Sequence, residues 1–474
     1  MPNRSTLMTG RMPTAHGVIM NDRSLDWGAN TYVRSLRQDG YRTGLFGKSH
    51  LQHGMSRNSV LASKRAPAVA DPWPPGWDQL EDHEHYETGL PEWPDDFYGF
   101  DQVELSIDHG ARVTGHHLQW ALDRGGTYED LVVPLTAESP ALRRSDRWWQ
   151  VYQPPIGPEL HSTTFVSERT SAFIEEAAAE DKPWCAWASF PDPHHPFAPP
   201  GEWFDRHRPG DMELPSTIGD PLAHGPAYLR QIQRVHPADQ HGWVGFCGAP
   251  DHDLVRESLA ATYGMIEFLD HGVGQIVATI ERLGQLDNTI VVFTSDHGDM
   301  MGDHGLMLKG YMHYRGTLQV PLVIADPRRS AGRSNSLVGS IDLAQTLLDL
   351  TGLRAYDGMQ GMSLVPVLDD VDAPAHEVLL IEDDLPDGLA RYLPVPAKTR
   401  TVLTSDGMKY TRHSTGEDQL FDLTADRDEL HQVAAHDPAR RAAAIEILAD
   451  ALIANMDAAR GAPTTASLAA KESS

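Results

Sequence analysis

Cysteine is nearly absent: the 474 residues hold two, Cys185 and Cys247, and neither stands in a C-x-x-C pair. Two such thiols cannot build a disulfide framework or a zinc or redox motif, so they read as structural. Lysine is almost as scarce. Seven are present (Lys48, Lys64, Lys182, Lys309, Lys398, Lys409 and Lys471), and 39 Lys plus Arg against 67 Asp plus Glu leave a formal charge of −28. A field of that sign repels nucleic-acid phosphates and anionic lipid, so neither nucleic acid nor a membrane is an expected partner. No run approaches the roughly 18 apolar residues of a membrane span. No G-x-S-x-G nucleophile elbow occurs either, which leaves a serine hydrolase unsupported. An anionic substrate would need a local cationic pocket, so the positions of the few lysines become informative.

What is present is ordinary globular composition and enough chain for one large α/β domain with a smaller appendage. A short helix follows Met1-Pro2, and Asn30 stands where it can cap a helix through Thr31, Val33 and Leu36 that stops at Gly40. Residues 43–46 read as a strand running into Lys48. A helix over about 164–180 feeds the apolar run 184–190, which has the pattern of a buried parallel strand. The longest helix, about 253–283, carries apolar residues at spacings of three and four; Gly272-Val273-Gly274 lies inside its period and does not make a dinucleotide fingerprint. Strands at 289–294 and 320–325 and a helix at 343–350 follow, and this alternation predicts a mostly parallel sheet flanked by helices. After about 370 come short strands (378–381, 401–403, 408–411 and 419–423) and a helix at 438–456. The expected organisation is a main domain at 1–370 with insertions at about 66–158 and 191–250, a small α+β subdomain at 371–460 and a flexible tail at 461–474. Six of the eleven tryptophans fall between Trp73 and Trp149, so the first insertion reads as ordered, aromatic and pocket-forming.

Reactive residues in open α/β sheets gather beyond the carboxyl ends of strands. Three strands here end in polar clusters: Gly47-Lys48-Ser49-His50, Asp192-Pro193-His194-His195-Pro196, and Ser295-Asp296-His297-Gly298-Asp299, with Lys309 following the last. Asp296 and His297 supply a carboxylate and an imidazole, half a shell for a divalent cation, although Asp-His-Gly also makes a good turn. Lysines and proline-boxed histidines at strand ends can simply be solvated. Taken together, the clusters suit hydrolysis of an anionic ester.

The motifs also resemble a known family. MPNRSTLMTGR at 1–11 resembles the sulfatase signature C-x-P-x-R followed by TGR, and YRTGLFGKSHL at 41–51 resembles the second signature, with Ser49 in place of the usual Trp. DPHHPF, SDHGDMMGDHGLMLKG, SIDLAQTLLDLTG, GMSLVPVL and LFDLTADRDE are similar to later landmarks, in order. The resemblance implies an alkaline-phosphatase-like α/β fold and hydrolysis of sulfate esters, on a small molecule or a saccharide. It gives Arg4 the task of holding the nucleophile and metal shell, Lys48 and Lys309 the sulfate oxygens, His50 a base at the nucleophile, and His194, with Lys309, protonation of the leaving alcohol. Asp296 and His297 become ligands of one divalent cation, expected to be Ca²⁺, with Mn²⁺ or Mg²⁺ as alternatives. His195, Asp303, His304 and His313 are expected to support the shell or the surface.

The family nucleophile, a Cys oxidised to formylglycine, would precede Met1 in this register, and the family's first strand with its two acidic ligands would lie further upstream. The expectation is therefore a late start, a Cys or Ser codon just upstream, neighbouring strands without a ladder partner, and no turnover by the 474 residues alone. Two alternatives stand beside this reading: a phosphonate monoester or phosphodiester hydrolase of the same superfamily, and a non-catalytic anion-binding remnant. The substrate, the compartment and any homo-oligomer are left open.

Overall fold

A computed structural model describes residues 1–21, 23–54, 73–107, 109–241, 245–384, 396–434 and 436–456. The tail expected at 461–474 and the first residues of the 66–158 insertion lie outside them.

The organising element is the strand Arg42–Gly47, which pairs in parallel with Gln102–Leu105 on one side and Trp184–Ser189 on the other. Alternation along it sends Leu45 and Phe46 to opposite faces, and each meets its own core. Leu45 packs with Val33, Leu36, Ala344 and Leu348 from the helices Tyr32–Gln38 and Leu343–Leu350. Phe46 packs with Phe173, Ile174, Ile276 and Ile280 from Ser162–Ala179 and His252–Arg282. Each buried ring or aliphatic side chain contributes about 1.5–3 kcal/mol. Helices therefore cover both faces, as the alternation predicts.

Several expectations shift in detail. Thr31, not Asn30, caps the first of these helices, its hydroxyl accepting from Arg34 N at 3.1 Å. The strand Leu322–Ala325 runs antiparallel to Val291–Thr294 instead of extending the parallel sheet. Among the described residues this ribbon shares no ladder with Trp184–Ser189, which pairs on one side only. Trp184–Ser189 is consequently half-buried where the apolar run predicts full burial, and Phe293 and Val323 are exposed at 43% and 56%.

The β part of the expected α+β appendage is an antiparallel meander, Val378–Asp384, Lys398–Thr404, Met408–His413 and Asp418–Asp422. The helix Pro438–Ala454 closes it through Ala444 and Leu448 against Val402, Tyr410 and Leu420. Cys185 and Cys247 are free thiols, and burial raises both, Cys185 to about 12. No helix among the described residues is long and apolar enough to cross a membrane.

Candidate active site

The helix Pro2–Thr9 lays Arg4 across the ends of three strands. Its Nε donates to Asp296 Oδ2 at 2.7 Å, beyond Val291–Thr294. One Nη donates at 2.8 Å both to Lys48 O, beyond Arg42–Gly47, and to Ser189 Oγ, at the end of Trp184–Ser189. A planar fork with several donors is the side chain able to tie three groups at once. Gly47 sits where this convergence is tightest: at φ 102°, a Cβ on it would lie 2.0 Å from Ser189 O. The chain then turns at His50, itself left-handed at φ 56°.

The loop that follows is held from the first insertion. Buried Glu81 accepts from His50 N at 2.6 Å and from Leu51 N and Gln52 N at 2.9 Å, so one carboxylate ties three successive amides. Burial nonetheless leaves the Glu81 carboxyl raised. His50 is held well below the usual imidazole range, first by burial and then by the amino terminus, Lys48 and Arg4. It is therefore neutral near pH 7.

Both lysines meet imidazoles. Lys309 Nζ is hydrogen-bonded to His194 Nε2, and Lys48 Nζ to His109 Nε2. An ammonium only donates, so both Nε2 atoms are acceptors. His194 Nδ1 lies 2.5 Å from His195 O and donates to it, which fixes the neutral tautomer. The rings form a stack: His109 to His194 at 4.0 Å and His194 to His195 at 4.3 Å between centroids. Burial first holds both His109 and His194 well below the usual imidazole range, followed by Lys48 for His109 and by the His109 ring and Lys309 for His194. Burial lowers Lys309 to about 8, against the opposing pull of Asp299 and Asp296.

Asp296 is a carboxylate throughout the neutral range: burial opposes its charge, but Arg4, His297 and Lys48 hold it well below the usual value. His297 Nδ1 donates to Gly298 O at 2.9 Å, which leaves Nε2 with its lone pair 3.7 Å from Asp296 Oδ1. Burial lowers His297 to about 4. A carboxylate oxygen and an unprotonated imidazole nitrogen facing one point are suitable donors for a divalent cation. Among the described residues no third His, Cys, Asp or Glu joins them.

Arg4, Lys48, His50, His194, Asp296, His297 and Lys309 thus converge, and His195 joins them by stacking. Three of the expected supporters do other work. Asp303 is hydrogen-bonded to Thr217. His304 pairs with Asp220 at 2.7 Å and stacks on Tyr314, and His313 reaches Thr401 of the C-terminal sheet at 2.8 Å. His109, Ser189 and Glu81 are additions. His109 had a usable signal, since it stands just beyond the strand Gln102–Leu105, a fourth strand end within a stretch that reads as irregular.

A family model described as sulfatase matches residues 1–353. The chain is 26% identical over 441 residues to the choline-sulfatase of Rhizobium meliloti (strain 1021), covering 91% of this chain and 72% of that protein. It is 25% identical over 437 residues to an arylsulfatase of Clostridium perfringens, covering 90% and 79%. Among solved structures, a phosphonate monoester hydrolase of Agrobacterium radiobacter is similar with a TM-score of 0.71 at 26% identity, over 96% of this chain and 85% of that one. The signature residues meet in one site at the strand ends, the family model runs across three quarters of the chain, and the protein accordingly belongs to the sulfatase family.

Proposed function

We propose that this pocket takes a sulfate monoester and hydrolyses it to the alcohol and sulfate, with Lys48 and Lys309 on the sulfonate oxygens. Sulfate ester hydrolysis is the chemistry of the family; the residue roles are the finer part of the proposal. The observation that carries it is the pairing of both pocket lysines with neutral imidazoles in a chain of net charge −28. Such partners orient an ammonium without cancelling its charge, as a carboxylate would.

The Lys309–His194 pair lies on the leaving-group side in this reading. His194 has its proton on Nδ1, directed at a backbone carbonyl, so Lys309 Nζ is the donor to the departing alkoxide and His194 Nε2 holds that ammonium in place. Neutral His50 accepts a proton at the nucleophile. Asp296 and His297 would hold the cation, which would supply Lewis-acid polarisation of a sulfate oxygen. A formylglycine, the nucleophile expected from the resemblance, would supply the covalent step; Cys185 and Cys247 are remote in sequence from any P-x-R.

The reading is tested by titrating the chain with inorganic sulfate in a calorimeter. Binding that Lys48→Ala and Lys309→Ala each weaken measurably is expected; absence of binding by the unaltered chain overturns it. A phosphonate or phosphodiester substrate is the second reading, favoured by the Agrobacterium radiobacter likeness. Relative rates on aryl sulfate and aryl phosphonate esters, measured on protein that turns over, separate the two.

A further inference from the structure

We propose that His109 is a positioning residue of this pocket, fixing Lys48 through its Nε2 and the His194 ring through its face. The proposal rests on the oxyanion reading above, but its evidence is separate.

The loop carrying His109 is itself fixed on two sides. Ser106 N donates to Gly47 O at 3.0 Å, so the end of Gln102–Leu105 delivers the loop beside the Gly47-Lys48 turn. On the other side a Cβ on Gly110 would lie 3.2 Å from Pro196, so the backbone next to His109 packs on the loop that bears His194 and His195. The imidazole is therefore wedged between the two lysine-bearing halves of the pocket. Its Nε2 accepts from Lys48, and its ring lies on His194 at 4.0 Å with 35° between planes.

The chemical need is plain. A lysine stem is flexible, and its ammonium has three donors with no built-in direction. The hydrogen bond to His109 gives one of these N–H groups of Lys48 a fixed direction. The ring on His194 also limits the swing of the imidazole that holds Lys309. One residue thus sets the spacing between both cations, and the sulfonate group is the body that has to fit between them.

Two variants separate the tasks. His109→Phe keeps a stacked ring and removes the acceptor; His109→Gln keeps an acceptor and removes the ring. For binding of inorganic sulfate, loss of a charge-assisted hydrogen bond predicts about tenfold weaker affinity in His109→Phe and a change within about threefold in His109→Gln. Lys48→Ala combined with His109→Phe should bind no more weakly than Lys48→Ala alone, because both remove the same unit. Additive losses, or unchanged affinity in His109→Phe, overturn the proposal. Imidazole nitrogen NMR supplies a readout independent of sulfate: His109 Nε2 should be unprotonated and hydrogen-bonded, and its resonance should move in Lys48→Met. If the unaltered chain takes up no sulfate, the oxyanion reading fails while this spectrum still decides the His109–Lys48 contact; a protonated Nε2, or one indifferent to Lys48→Met, overturns it.

Discussion

Arg4 shows how much one side chain can organise. Its partner Asp296 is only 19% exposed, and removing the guanidinium takes a donor from that carboxylate, from Lys48 O and from Ser189 Oγ. Arg4→Ala is expected to cost about 2–4 kcal/mol in urea unfolding, at the low side of a fully buried pair because some solvent reaches Asp296. Lys309 sets a pH limit. Its ammonium is charged below about 8 and neutral above, so sulfate affinity should hold below that pH and fall as pH rises through it. Lys309→Arg should keep the affinity level; the same fall in the variant would exclude Lys309 as its source. Asp192 gives a limit of another kind. Its side chain is 1% exposed, neither oxygen has a hydrogen-bond partner among the described residues, and His161 Nε2 is 3.8 Å away. Burial raises the carboxyl to about 8. The folded value exceeds the unfolded one, so its contribution to stability is complete below about pH 4 and is lost as pH rises toward 8. Asp192→Asn never ionises. The stability of the native chain relative to that variant should therefore decline by up to about 1.4 kcal/mol per pH unit across this window, and a difference that stays constant would refute the buried, unpaired carboxyl.

At the level of elements, two of the three glycines of the long helix His252–Arg282, Gly272 and Gly274, part company. Gly272 is buried, and a Cβ there would lie 2.5 Å from Ser167 Oγ and 3.1 Å from Thr163 on the neighbouring helix; Gly274 is exposed, with nothing within 4 Å. Gly274→Ala should gain about 0.5–1 kcal/mol in denaturant unfolding and Gly272→Val should lose about 1–3 kcal/mol. That helix was legible because its apolar spacing of three and four persists along its length; its Asp251 cap emerges only in the structure. Strand ends were legible too, which is why the clusters that hold Lys48, His194, Asp296 and Lys309 could be marked, while the roles of these residues came from the family resemblance. The antiparallel sense of Leu322–Ala325 was not: an apolar run has no direction written in it. Glu81 and His109 were hidden for a different reason. Both come from the stretch of short turns and helices after Trp73, where no periodicity announces which side chain returns to the sheet.

For the molecule as a whole, the C-terminal sheet grips the segment just after Lys309. Lys409 and Glu429, each 2% exposed, pair with one another, and Lys409 also donates to His313 O. Glu429 accepts from Arg315 N at 2.7 Å, and Gln419 Nε2 donates to Tyr314 OH at 2.8 Å. Lys409→Met should cost about 3–5 kcal/mol by stranding the Glu429 carboxylate, and calorimetry should show it as one transition moved downward. Two separated transitions would mean that the sheet folds without regard to the pocket.

The scarcity of lysine has a practical side. An amine that loses its proton near 8 is a free nucleophile at a pH where ordinary lysines, close to 10.4, remain almost wholly blocked by protonation. In a chain with seven lysines, an acylating reagent used sparingly at mildly alkaline pH becomes a reporter of Lys309 among them, modified ahead of the surface lysines and shielded whenever an anion occupies the site.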